Sequence, residues 1–259
     1  MAVRDLLYHV YERRLERELA GGTLPRHVGV ILDGNRRYAR ERGLASVAEG
    51  YLAGADRIPD LLDWCFELRI PYVTLWLLST DNLSRADDEL THLLDIIVGT
   101  VQSIASAPST ATRKLRVTAV GVLDALPVDV REALEEACAA TADNDGFHVQ
   151  IAVGYGGRKE ITDALRSWMR AQDRDGHTLA DAAEALVPAD IGDHLYTTGF
   201  PDPDLIIRTS GELRLSGFLL WQSAHSEFYF CDPYWPDFRK VDFLRALRDY
   251  AGRARRFGR

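Results

Sequence analysis

His27-Val28-Gly29-Val30-Ile31-Leu32-Asp33-Gly34-Asn35-Arg36-Arg37-Tyr38-Ala39-Arg40 decides how the rest of this 259-residue chain is read. Arg26–Leu32 is short and almost unbroken in its hydrophobicity, the signature of a strand buried on both faces. The run stops at Asp-Gly-Asn and passes into an arginine-rich helix. Asp33 is placed as the N-cap of that helix, whose free amides attract anions, phosphates above all. Asp33, Arg36, Arg37 and Arg40 recur at helical spacing and so share a face. One carboxylate beside several guanidiniums suits a magnesium diphosphate: the acid holds the metal and the arginines hold the oxygens. Asp-Gly-Asn is also ordinary turn chemistry, so these residues alone leave a structural reading open.

Outward from this stretch, five more apolar runs read as strands: Tyr72–Leu78, Leu115–Gly121, Phe147–Val153, Leu205–Thr209 and Glu227–Cys231. Helical patterns at Ala48–Leu68 (kinked at Pro59), Asp87–Ser106, Val128–Thr141, Lys159–Gln172 and Asp242–Arg255 separate most of them. Strands alternating with helices give an α/β fold with a mainly parallel six-stranded sheet covered by helices. No linker, repeat or low-complexity tract interrupts it, so one domain is expected. Ahead of it, Arg4 to Ala20 carries an apolar stripe of Leu6, Leu7, Val10, Tyr11, Leu15 and Leu19 and stops at Gly21-Gly22. This helix is expected to pack on the body or on a partner subunit. A peripheral membrane contact stays open for it, but its polar face carries both charge signs.

The formal net charge of −8 argues against general nucleic-acid binding. Clustered arginines in an acidic chain indicate a local anion pocket instead. Cys65, Cys138 and Cys231 are scattered, which disfavours a disulfide framework or zinc site and fits a reducing cytoplasm. No run is long enough to span a bilayer, and the first residues do not form a signal peptide.

In a parallel sheet, ligands bind beyond the carboxyl ends of the strands. Four strand exits carry phosphate-compatible residues: Asp33-Gly34-Asn35; Ser79 through Arg85; Gly154-Tyr155-Gly156-Gly157-Arg158; and Arg208 through Ser216. Arg208 and Arg214 flank a glycine turn, with Ser216 expected to cap a helix over Gly217–Ser223. That cluster is suited to a second diphosphate. Glu227 opens an aromatic strand, where a carboxylate needs a metal, an arginine or hydrogen bonds. His27, His148 and His225 read as structural. Trp64, Phe66, Trp168 and Trp221 read as core.

The blocks HVGVILDGNRRYAR, LLSTDNLSR with Glu89, VGYGGRKEI, and DLIIRTSGELRLSGFLLWQSAHSEFYF followed by WPDF are similar, in content and in order, to those of the cis-prenyltransferases, the undecaprenyl diphosphate synthase family. The resemblance runs from Pro25 onward, which divides the chain into an N-terminal helix segment, 1–24, and a catalytic domain, 25–259. It implies a homodimer that condenses isopentenyl diphosphate with an allylic diphosphate, forming a Z double bond and releasing pyrophosphate, with Mg²⁺ as cofactor. By motif, Asp33 resembles the magnesium-associated aspartate. Gly34, Asn35, Arg37 and Arg40 resemble the shell around the allylic diphosphate, and Ser79 and Asn82 resemble residues near the reacting carbons. Arg85, in the same loop, joins the substrate shell. Arg208, Arg214 and Ser216 resemble the isopentenyl diphosphate clamp, and Glu227 a carboxylate serving metal and clamp across the dimer interface.

Departures from the long-chain pattern carry their own information. Where that pattern reads DGNGRWA, this chain has Arg36 and Tyr38 in the allylic shell. An expected arginine and histidine are replaced by Ser46 and Tyr51, and Arg36 is a candidate replacement cation. Leu78 and Leu83 replace usual aromatics. Leu77 stands where long-chain relatives tend to have a small residue facing the hydrocarbon tunnel, and a leucine there shortens the space. DGNRR, Leu77, the N-terminal helix and the RRFGR ending resemble the short-chain Z,E-farnesyl diphosphate synthase branch. The expectation is one addition to geranyl diphosphate, giving a fifteen-carbon product. The alternatives are a longer-chain polyprenyl synthase, irregular head-to-middle coupling, a non-catalytic partner subunit and an unrelated phosphate-binding hydrolase. The intact Asn35 weakens irregular coupling; Asp33, Arg208, Arg214 and Ser216 weaken the partner-subunit reading; only the fold supports the hydrolase.

Overall fold

Six short strands are each buried in or packed on a common sheet: β1 (His27–Ile31), β2 (Tyr72–Trp76), β3 (Leu115–Val120), β4 (Phe147–Ala152), β5 (Leu205–Arg208) and β6 (Glu227–Phe230). A computed structural model of the chain describes residues 3–254, with the side chains of 3–7 and 254 excepted. The RRFGR ending lies outside the described residues. The sheet order is β3-β4-β2-β1-β5-β6, and every pairing is parallel. The expected mainly parallel sheet is therefore wholly parallel. The chain leaves β1 toward β2 on one side and takes β5 on the other, so a crevice opens beyond the carboxyl ends of these three strands.

The helices are α1 (Val3–Leu19), α2 (Asn35–Glu41), α3 (Val47–Ala55), α4 (Ile58–Glu67), α5 (Asp87–Ser106), α6 (Pro108–Arg113), α7 (Val128–Ala140), α8 (Gly157–Arg174), α9 (Leu179–Ala185), α10 (Pro188–Asp193) and α11 (Lys240–Ala254). The pattern over Ala48–Leu68 resolves into α3 and α4 rather than one kinked helix. The break falls at Asp56-Arg57, and Pro59 sits in the first turn of α4, where its missing N–H costs nothing. The expected helix over Gly217–Ser223 is a series of turns ending in a 3₁₀ segment, Gln222–His225.

Period-two alternation sends Val28, Val30, Val73, Leu75, Val149, Ile151, Leu205 and Ile207 into the larger core, which α3, α4, α5, α7 and α11 cover. The opposite face carries Ile31, Trp76, Ala152, Tyr155, Ile206, Phe218 and Leu219. Phe218 lies over β1 at Gly29: a Cβ there would stand 3.0 Å from the Phe218 ring. Trp76 stacks on that same ring, 5.2 Å between centroids. Helix α1 joins the larger core through Leu15 and Leu19 and packs on α11. Arg239 lies over the Tyr8 ring, Arg245 over Tyr11, and Lys240 pairs with Glu16 at 3.0 Å. Val10, placed in the apolar stripe from sequence, is 60 % exposed. Phe66 also departs from the core reading. It is 41 % exposed with Arg113 over its ring, whereas Trp168 is buried as expected.

Near the amino ends of the strands the second face holds a polar row. In the neutral His27 imidazole, Nδ1–H donates to the Pro201 carbonyl at 2.6 Å and Nε2 accepts from the Thr74 hydroxyl at 2.8 Å; the Gln150 side chain lies 3.3 Å from the same hydroxyl. Burial pushes the His27 imidazole down to about 4, despite the Pro201 carbonyl and Asp204. The unfolded chain therefore takes up a proton near pH 6.5 that the fold refuses until about pH 4. Stability contributed by neutral His27 is complete above pH 6.5 and is lost as pH falls toward 4, by up to roughly 3 kcal/mol. Urea titrations across this window should show a shallower fall in unfolding free energy for His27→Gln than for the unaltered chain.

Candidate active site

Arg208 ends β5 with its side chain buried to 5 % exposure, and its guanidinium is shared between two strand exits. Nη2 donates to Asp33 Oδ2 at 2.7 Å, and Nη1 donates to Ser216 Oγ at 2.8 Å and to the Arg214 carbonyl. Nε is buried with no partner among the described residues. The two clusters that read separately in the sequence, one around Asp33 and one around Arg214 and Ser216, thus meet on one cation. Burial opposes ionisation of Asp33, but the Arg208 hydrogen bond and charge outweigh it, with help from Ser210 and Arg37, and hold its pKa below the usual carboxylate range.

Asp33 is therefore not the helix cap that its position suggests. Gly34 caps α2 in the left-handed region, φ +107°, and the Asp33 carboxylate turns away to Arg208. A side chain at position 34 would meet Tyr234 Cδ1 at 2.6 Å in addition to the unfavourable φ. Ser216 likewise caps no helix. It has φ +51°, and its hydroxyl accepts from Arg208.

A cleft of about 540 Å³ opens over these groups. Asp33, Gly34, Asn35, Arg36, Arg37, Arg40, Leu77, Ser79, Asn82, Arg85, Arg208, Arg214 and Ser216 all line it. Arg37 donates to Ser210 Oγ at 2.7 Å, lies 3.8 Å from Asp33, and pairs with Glu212 at 3.2 Å. Glu212 also holds Arg214. The Ser79 hydroxyl accepts from the Asn82 backbone N–H at 3.2 Å and so shapes the turn that presents the Asn82 side chain.

Two sequence-predicted residues are not in the cleft. Tyr38 stacks under Arg42, with 5.4 Å between the guanidinium carbon and the ring centroid. Glu227 starts β6, at the opposite end of the sheet from the cleft, and accepts from Arg253 at 2.8 Å. The Gly154–Arg158 exit also adds nothing to the lining. Tyr155 is buried, Ser79 bridges to it, and Gly157 N–H donates to the Gly217 carbonyl at 2.8 Å, so this segment braces the other loops from behind. Below it, Glu160 is buried against Tyr155 and Gln222.

The sequence reading missed Trp76 and did not single out Glu212, Ser210 or Asp81 within the strand exits it named. Glu212 had a signal: an acid between two arginines of a glycine turn. Trp76 had none, since it reads as strand core. The bond between the helix residues Tyr51 and Glu89, at 2.7 Å, was equally unreadable.

Among the described residues no cluster of three or more His, Cys, Asp or Glu side chains forms a metal cage. Asp33 is the cleft carboxylate that reaches Arg208 by one oxygen only. Asp81 and Glu212 also line the cleft, but Glu212 is held between Arg37 and Arg214, and Asp33 among its guanidiniums suits a hard cation that completes its shell with phosphate oxygens and water.

The family profile described as "Putative undecaprenyl diphosphate synthase" matches residues 31–258. The chain belongs to the undecaprenyl diphosphate synthase family. It is 58 % identical to the (2Z,6E)-farnesyl diphosphate synthase of Thermobifida fusca over 256 residues, covering 99 % of this chain and 98 % of that protein. It is 53 % identical to an isoprenyl transferase of Deinococcus radiodurans, covering 100 % of this chain and 94 % of the relative. Among solved structures, lavandulyl diphosphate synthase from Lavandula x intermedia, in complex with dimethylallyl diphosphate, is similar with a TM-score of 0.80 and 34 % identity, covering 88 % of this chain and 95 % of that one. The sequence-derived resemblance and the parallel-sheet fold both hold within this family.

Removing the shared cation isolates its partner. Arg208→Ala should raise the Asp33 pKa, read by carboxyl NMR titration. It should cost about 2 kcal/mol of stability by denaturant unfolding, once solvent access to Asp33 is discounted.

Proposed function

We propose that this chain is a Mg²⁺-dependent short-chain cis-prenyltransferase that joins isopentenyl diphosphate to geranyl diphosphate, giving Z,E-farnesyl diphosphate and pyrophosphate. One observation carries the reading. A cleft dense in guanidiniums around ionised Asp33 shares its inner wall with an apolar cavity of only about 40 Å³, lined by Leu32, Leu77, Leu93, Ile96, Ile97 and Trp235 among others. By that measure the cavity holds about three waters, less than one further five-carbon unit. The 58 % identical relative bears a short-chain name, which supports the same conclusion.

In this mechanism Arg36, Arg37 and Arg40 bind the allylic diphosphate, and their fixed charges stabilise the negative charge that builds as it leaves. Mg²⁺, with Asp33 as its protein ligand, supplies further charge neutralisation when bound. Arg208, Arg214 and Ser216 hold the isopentenyl diphosphate. Because Arg208 touches both clusters, the two substrates are held in register across one guanidinium, which is how the bimolecular step becomes a positioned one. Ser79 and Asn82 orient the reacting carbons and guide the released proton toward the departing pyrophosphate. In the homodimer this reading includes, Glu227 acts from the neighbouring subunit, and the setting is cytoplasmic. The structural likeness to lavandulyl diphosphate synthase favours one second reading, irregular coupling of two allylic units.

Mass spectrometry of products from isopentenyl diphosphate with dimethylallyl, geranyl or E,E-farnesyl diphosphate decides between them. The expected outcome is a fifteen-carbon Z product from geranyl diphosphate, abolished by EDTA, restored by Mg²⁺, and reduced roughly a hundred- to a thousandfold by Asp33→Ala. Product from dimethylallyl diphosphate alone would replace this reading with irregular coupling. Leu77→Ala, which vacates the cavity wall, should lengthen the products; an unchanged profile would remove Leu77 as the stop.

A further inference from the structure

Five residues line both the polar cleft and the apolar cavity: Leu32, Asn35, Tyr51, Leu77 and Leu93. They form the neck between the two spaces. The three leucines have no polar group to hold them, and Asn35 donates only to the nearby Leu32 carbonyl at 3.2 Å. Tyr51 differs. It stands on α3, only 8 % exposed, and its hydroxyl donates to Glu89 Oε1, 2.7 Å away in the first turn of α5. Arg85 donates to both the Tyr51 oxygen and Glu89, the latter at 2.9 Å, and Arg36 on α2 stands 3.9 Å from the same carboxylate. One carboxylate thus gathers α2, α3 and α5 around the neck. Glu89 lies one helical turn before Leu93, so the bond that fixes the Tyr51 ring also fixes the opposite wall.

We propose that Tyr51 is a specificity-determining gate, latched by Glu89 and Arg85, which limits how far a hydrocarbon tail passes from the cleft into the apolar cavity. The proposal rests on the prenyl-transfer reading above and adds to it Tyr51, which stands where the long-chain pattern has a histidine and brings no cation to a diphosphate. Swinging the ring aside breaks its bond to Glu89 and leaves two half-buried charged groups without their common neighbour, a cost set against admitting a longer tail. The neck therefore discriminates by tail length, and discrimination of a few methylenes in a packed pocket is worth roughly tenfold or more. Opening the latch should relax that discrimination even where the ring volume is kept.

The test is the ratio of kcat/KM for geranyl diphosphate to kcat/KM for E,E-farnesyl diphosphate, with isopentenyl diphosphate saturating. Tyr51→Phe keeps the ring and removes the latch, and should lower this ratio about tenfold with twenty-carbon product appearing. Glu89→Ala should lower it comparably, and the double variant should add little, as expected for two halves of one latch. Any effect of Glu89→Ala on diphosphate binding through Arg36 acts on both acceptors and cancels in the ratio. Equal losses for both acceptors in folded variants, checked by circular dichroism, would make Tyr51 a strut and overturn the gate. An unchanged ratio would overturn it as well. If the unaltered enzyme turns over no acceptor, the prenyl-transfer reading itself fails, and the gate fails with it.

Discussion

A guanidinium buried at the end of a parallel strand is costly unless its charge is paired and its outer nitrogens are bonded. In this chain the partners of Arg208 are Asp33 on one side and the 214–216 turn on the other. The arrangement makes each cluster a condition of the other. Without Asp33 the cation is buried and underpaired; without Arg208 the acid is half-buried beside the weaker Arg37 contact. The cleft's electrostatics and the local stability of two loops are one interaction seen from two directions.

The parallel sheet is what allows that interaction. β1, β2 and β5 are neighbours and end at the same edge, so residues 33, 79–85 and 208–216 converge although they lie far apart in sequence. The rest of the fold serves that edge. The Gly154–Arg158 turn braces it from behind, α3 and α5 wall the apolar space beneath it, and α1 closes the far side of the core against α11.

Much of this was legible in the sequence because it depends on local pattern. Unbroken apolar runs gave the strands, their alternation with helical periods gave the parallel sheet, and polar strand exits pointed to the cleft. What was not legible depends on direction. Asp33 has the identity and position of a cap, yet tertiary attraction to Arg208 turns it away, and a glycine takes the cap instead. Gly217–Ser223 has the composition of a helix start, but Ser216 is committed to Arg208 and the backbone enters the left-handed region there. The Gly154–Arg158 exit has phosphate-site composition and is buried as a brace. Glu227 reads as a functional acid and, within one chain, is an ion pair with Arg253. No spacing rule connects Tyr51 to Glu89, because their contact is between helices whose packing only the assembled core defines.

Phe218, packed over β1 at Gly29 and stacked on Trp76, has a further consequence. The aromatic ring is the mechanical floor of the turn that carries Arg214 and Ser216. A side chain at position 29 would press on the ring, with its Cβ 3.0 Å from the ring edge, and the ring would have to give. A residue in the middle of a buried strand, with no polar side chain of its own, therefore limits the room beneath the turn that holds Arg214 and Ser216. The close fit at Gly29 thus ties the interior of the sheet, and not just the visible loops, to the geometry of the cleft.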